Sequence, residues 1–164
     1  VAERDPIKVW VRESRAQRRV GIGAACPCGE VRPFALLPTG VCFACDRITR
    51  GREPFENHHV FGKRNGPCMV RMPVNDHRAV LSVAQLSWPP KTQENVGGSP
   101  LLRAAAHVRG FSDMIRHLLD ECEWISNCLE QLDEWLSNTL GPSWWHGSPI
   151  EQYATRQNKE EKKQ

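Results

Sequence analysis

The chain has 164 residues, which suits one compact domain or two small modules. Apolar residues make up 40% and charged residues 25%, close to globular averages, which excludes a wholly disordered or fibrous chain. No apolar run reaches the length of a membrane-spanning helix. Net charge is +3, but it divides unevenly. Residues 1–110 hold 17 Lys and Arg against 9 Asp and Glu, and residues 111–164 hold 5 against 10. A basic half points to a polyanion partner, with a merely solvated surface as the competing reading.

Residues 1–25 form a basic arm with a strand expected at Ile7 to Val11. Arg12, Arg15, Arg18 and Arg19 follow, placed to grip phosphates from a helix or an arm, or to sit in a disordered tail. The arm has no apolar centre of the kind a secretory signal needs, so a cytoplasmic chain is expected. Val1 in place of an initiator Met is expected of a trimmed chain or a fragment.

Cys26, Cys28, Cys42 and Cys45 lie within 20 residues as C-x-C, a 13-residue connection and C-x-x-C. Two such pairs, on two turns, can present four thiolates to one zinc ion at roughly 2.3 Å. The connection holds Gly29, Pro33, Pro38 and Gly40, which suits a short hairpin. Four sulfurs leave no open coordination position, so the site is expected to be structural. Disulfides or unconnected core cysteines are the alternatives, disfavoured in a reducing compartment. Cys68, Cys122 and Cys128 read as reduced and partly buried.

The segment from Glu56 to Leu81, ENHHVFGKRNGPCMVRMPVNDHRAVL, carries the most chemistry. His58 and His59 end a strand, where adjacent side chains point to opposite faces. Gly62 to Pro67 is a basic turn with Lys63, Arg64 and Asn65, and Cys68 to Val74 reads as a second strand. Asn75 or Asp76 then caps a helix from about His77 to Ser87, stopped by Pro89 and Pro90. His107, His117 and His146 read as surface or satisfied core residues.

This strand–loop–strand–helix arrangement resembles the HNH nuclease family, whose core is a ββα-metal motif. The resemblance covers Glu56 to about Trp88, and extends to the cysteines because many phage and bacterial HNH proteins carry a zinc-binding set around the core. It implies that His58 and His77 hold a catalytic Mg²⁺ or Mn²⁺ and that His59 is the general base. It also implies an Asn between the strands that orients the base or supports the loop: Asn65, with Asn75 as runner-up. Lys63, Arg64, Arg71 and Arg78 would hold the DNA backbone. The chain departs from the family in three ways. It has Val74-Asn75-Asp76-His77 where zinc-containing relatives often have C-x-x-C-H, Leu81 in place of a further His, and a short spacing from His59 to Asn65. Few protein ligands suit an ion that keeps several waters.

WPPKTQENVGGSP at 88–100 reads as a linker, with residues 91–100 at its heart. Ser112 and Gly141-Pro142 bracket a helix in which Ile115, Leu118, Cys122, Ile125, Leu129, Leu132 and Leu136 recur at steps of three and four. Residues 113–140 would extend about 42 Å. Seven acidic residues against Arg116 make this helix a poor DNA reader. Its seam can pack on a shorter helix near Pro100 to Arg109, pair with a second copy in a homodimer, or bind another protein. Trp124, Trp135, Trp144 and Trp145 add apolar area to it.

The expectation is an α+β chain. A zinc-ribbon-like lobe and an HNH core occupy residues 26–90, a helical segment 101–141 and a tail 142–164. The function expected is metal-dependent hydrolysis of DNA phosphodiesters. The alternative is a non-catalytic, zinc-dependent nucleic-acid-binding or adaptor module.

Overall fold

The computed structural model describes residues 6–153. It is a mixed fold: six α-helices, a π-helical segment, a short 3₁₀ turn and one two-stranded sheet among the described residues. Compact packing divides the chain at Leu118–Leu119. That division falls inside a helix, not at the 91–100 segment expected to be a linker.

The first element corrects the sequence reading. Ile7 to Val11 is not a strand but the start of helix α1, Pro6–Val20. Ile7, Val9 and Val11 alternate as a strand would, yet Val9, Arg12, Ala16 and Val20 are sheltered, with Val11 and Ser14 beside them. Spacings of three and four make that a helical stripe. Arg12 donates to the Leu86 carbonyl at 2.6 Å, and Arg19 to those of Pro33 and Leu36 at 3.1 and 3.0 Å. These two arginines therefore fasten α1 to the rest of the unit, while Arg15 and Arg18 are exposed.

The cysteine lobe follows. Its core is Cys26, Leu36 and Cys42, packed by Val20, Ala24, Val41 and Ala44. The expected ribbon is reduced to one isolated bridge, Leu36 to Cys42, closed by a turn in which Gly40 sits at φ +81°. Cys42 then caps helix α2, Phe43–Thr49, so the second cysteine pair lies on a helix start.

Strands β1, Phe55–His59, and β2, Met69–Pro73, pair antiparallel with Glu56 opposite Met72 and His58 opposite Val70. The chain continues directly into α3, Val74–Asp76, a π segment, His77–Leu81, and α4, Ser82–Leu86. The expected cap is corrected here. Pro73 precedes the helix without a side-chain cap, because Asn75 and Asp76 lie inside its first turn and bond elsewhere. Val74, Leu81, Ala84, Trp88, Val60 and Phe61 are buried around this motif.

The segment expected to be a linker is packed. It forms helix α5, Pro90–Glu94, with Thr92 and Asn95 buried. Helix α6, Pro100–Leu140, is continuous over 41 residues, so Ser112 does not begin it. At Gly110, α6 meets the ββα motif closely: a Cβ there would lie 2.1 Å from the Val60 carbonyl oxygen. The reading in which residues 100–109 fold back on the seam is also corrected, since they are turns of the same helix.

In the unit from Leu119 onward the seam is open, with Ile125, Leu129 and Leu132 each about half exposed or more. Trp144 donates to Asp133 at 2.9 Å within that unit. Cys68, Cys122 and Cys128 are free thiols, but all three are exposed rather than partly buried. No described helix is long and apolar enough to cross a membrane.

Candidate metal centre and histidine cleft

The four cysteine sulfurs converge, all lying within 4.8 Å of one another. The Cys28 and Cys42 sulfurs are 3.7 Å apart. Four sulfurs at 2.3 Å from a tetrahedral zinc have edges of about 3.8 Å. The cluster therefore fits a metal ion such as zinc. Backbone geometry prepares it: Gly29, at φ +95°, donates to the Cys26 carbonyl at 2.9 Å, and Cys26 donates to that of Glu30 at 2.8 Å. The Cys45 N–H donates to the Cys42 sulfur. Backbone N–H groups of Cys28 and then Cys42 hold the Cys26 thiol at about 6. Sharing protons with the sulfurs of Cys42, Cys28 and Cys26 pushes Cys45 up to about 12. Four thiolates this close repel one another without a cation between them.

Polar bonds tie this lobe to the helix that carries His77. The Asn75 carbonyl oxygen accepts from the Ala44 N–H at 3.0 Å, and its amide donates to Glu30 at 3.1 Å. Arg32 spans Glu30 and Asp76 at 2.6 and 2.9 Å. These contacts sit beside Cys28 and between Cys42 and Cys45.

The histidines meet in a cleft of about 490 Å³ lined by Glu56, His58, His59, Lys63, His77 and Gln85, among others. Strand alternation sets Glu56 and His58 on one face and His59 on the other, at the strand end. The His58 and His77 rings lie edge to face with centroids 5.2 Å apart. Two imidazoles sharing one ion at a tetrahedral angle stand about 5 Å apart. Burial, then the nearby charges of His77 and His59, lowers His58 to about 4. It is therefore neutral at neutral pH, the form a metal requires. Gln85 Nε2 lies 3.3 Å from His58 Nε2 and also donates to the His59 carbonyl at 2.6 Å. The His59 Nδ1 atom is buried with no partner among the described residues.

Glu56 organises the cleft. Its carboxylate accepts from His77 Nδ1 at 2.7 Å, from Arg78 at 2.8 Å and from Arg47 of α2. Burial pushes its carboxyl upward, but Arg78, His77 and Arg47 outweigh that and hold it below the ordinary range. An ionised carboxylate only accepts, so His77 carries its proton on Nδ1 and keeps Nε2 as the ligand or acceptor atom. Arg78 also stacks over Phe43, 4.0 Å from the ring centroid.

Several expected site residues lie elsewhere. Asn65 is 2% exposed, but its amide donates to the Thr92 carbonyl and its oxygen accepts from Asn95, so it holds the loop. Its own carbonyl accepts from His107. Asn75 is committed to the cysteine lobe. Lys63 lines the cleft, whereas Arg64 lines a neighbouring pocket. Arg71 lies on the face shared with Phe55, paired with Glu53, outside the cleft. Arg78 lines the cleft but directs its donors to Glu56. Glu56, Gln85 and Arg47 escaped the sequence reading. Glu56 alone had a signal there, since two residues before His58 on a strand means the same face. Comparison with protein-family models, curated proteins and solved structures returns no match to this chain.

Proposed function

We propose that the chain is a metal-dependent endonuclease of the HNH type, hydrolysing DNA phosphodiester bonds in the histidine cleft. The convergence of His58, His59 and His77 in one cleft, with Lys63 at its wall, supports this reading best. His58 and His77 would hold the divalent ion, Mg²⁺ or Mn²⁺, which when bound offsets charge on the phosphate and its leaving oxygen. Glu56 fixes the His77 ring so that Nε2 remains available. His59 accepts the proton from the attacking water, a role an imidazole can fill as general base. Lys63 supplies a cation for a phosphate oxygen. The four cysteines would bind zinc and act as a structural anchor. On this reading Asn65 supports the loop between the strands rather than touching the base.

One observation favours the second reading, a non-catalytic zinc-dependent nucleic-acid-binding or adaptor module. Gln85 Nε2 lies 3.3 Å from His58 Nε2 while donating to the His59 and Val60 carbonyls, and an ion at that histidine atom must displace it. A plasmid-nicking assay with Mg²⁺ or Mn²⁺ separates the two. The nuclease reading expects nicking by the wild-type chain and loss of at least two orders of magnitude in His59→Ala, in line with general-base catalysis. Equal activity in the variant sinks it, and salt-dependent DNA binding with no cleavage under either metal selects the module.

A further inference from the structure

A second pocket of about 390 Å³ adjoins the histidine cleft and shares Lys63 and Gln85 with it. From the physical character of its wall we infer that it receives one unpaired DNA nucleotide beside the cleaved bond, so that the enzyme acts on single-stranded or unpaired DNA. This inference rests on the nuclease reading and adds the substrate class to it.

The volume falls in the range of small-molecule sites and is open at the surface. Leu86, 48% exposed, and Trp88, 5% exposed, supply apolar wall. Trp88 is held rigidly, with Nε1 donating to Asp113 at 2.8 Å. The wall includes both acceptors and cations. Gln93 donates both amide hydrogens, to the Gln85 carbonyl at 2.7 Å and the Trp88 carbonyl at 2.9 Å. Gln85 donates its own to the His59 and Val60 carbonyls. Both amide orientations are thereby fixed. Their oxygens are neither buried nor bonded to protein among the described residues. With Glu94 they offer acceptors suited to the N–H groups on the pairing edge of a nucleobase. Lys63 and Arg64 offer the complementary cations for its phosphates.

A base inside a duplex presents that pairing edge to its partner, not to a protein. Filling this pocket therefore requires an unstacked, unpaired nucleotide. Because the pocket and the cleft share wall residues, the nucleotide in one is continuous with the phosphate in the other.

Fluorescence anisotropy of the full chain without added divalent ion tests this, using one labelled oligonucleotide as a single strand and as a blunt duplex. The single strand is expected to bind about tenfold more tightly, the scale of one base held by a protein pocket. Leu86→Trp, which fills the pocket from an exposed position, is expected to lower single-strand affinity about tenfold and leave duplex affinity unchanged. Gln93→Met removes one acceptor and is expected to lower it severalfold. Circular dichroism and zinc content show that both variants are folded. Equal affinity for the two DNA forms, or wild-type binding by both variants, overturns the pocket assignment. Cleavage of duplex and single strand at equal rates overturns it too, while leaving the nuclease standing. No binding of either DNA form and no cleavage overturns both.

Discussion

Glu56→Gln tests the organisation of the cleft. The substitution keeps shape and removes one charge from a side chain that is 13% exposed and faces Arg47, Arg78 and His77. Hydrogen bonds to charged groups contribute about 1.5–3 kcal/mol each. Three of them set a gross loss of about 5–9 kcal/mol by that scale. The amide oxygen can still accept from one donor, and the partners, 29% and 40% exposed at Arg47 and Arg78, can recover water. The net cost is about 2–3 kcal/mol, below that of breaking a fully buried pair. In urea unfolding followed by circular dichroism, this lowers the midpoint by about 1 M at pH 7. The cost also depends on pH in a defined direction. A carboxyl held below its ordinary value stabilises fully above the unfolded value of about 4.3. That stabilisation fades as pH falls through the lower folded value. The gap between wild type and variant must therefore shrink in acid. A gap under about 0.5 kcal/mol at pH 7, by the scale of surface substitutions, refutes the reasoning. So does a gap that persists undiminished in acid.

The cysteine cluster is expected to carry about one zinc per chain by elemental analysis, and Cys42→Ser to lose it together with the ellipticity of α2. Asn75→Ala, which removes the bonds to Ala44 and Glu30, is expected to cost about 1–2 kcal/mol in urea unfolding while leaving the zinc content intact. Retention of full stability would show that the two lobes do not lean on Asn75. Ile125→Asp with Leu132→Asp is expected to change thermal stability little, because each side chain is 49% exposed. A large loss, with a dimer mass by light scattering, would instead place that face in an interface between copies.

Motifs with short-range chemistry were legible in the sequence. The cysteine spacing led to a real cluster, because ligand pairs on tight turns need little tertiary information. The strand–loop–strand–helix order also emerged from alternation and turn residues within 30 positions. Long-range pairing was not legible. Asn65 lies in the loop between the strands, yet its partners are Thr92 and Asn95, in a segment that reads as a linker from its Pro and Gly content. Gln85 and Arg47 belong to no sequence motif themselves, and only the fold brings them to His58 and Glu56. Ile7 to Val11 misled because β-branched alternation over five residues is equally compatible with a helix whose stripe is only visible over fifteen. Helix α6 misled at its start because Ser112 reads as a cap, whereas the helix runs through it and the missing Cβ of Gly110 admits the Val60 carbonyl.

The central claim is that one cleft holds a divalent ion beside an imidazole base. Anomalous diffraction from crystals of the full chain grown with Mn²⁺ measures this most directly. The account predicts zinc at Cys26, Cys28, Cys42 and Cys45, and a separate manganese peak within coordination distance of His58 and His77 but not of His59. Zinc at the cysteines with no ion at the histidine pair, and Gln85 still seated on His58, would contradict it.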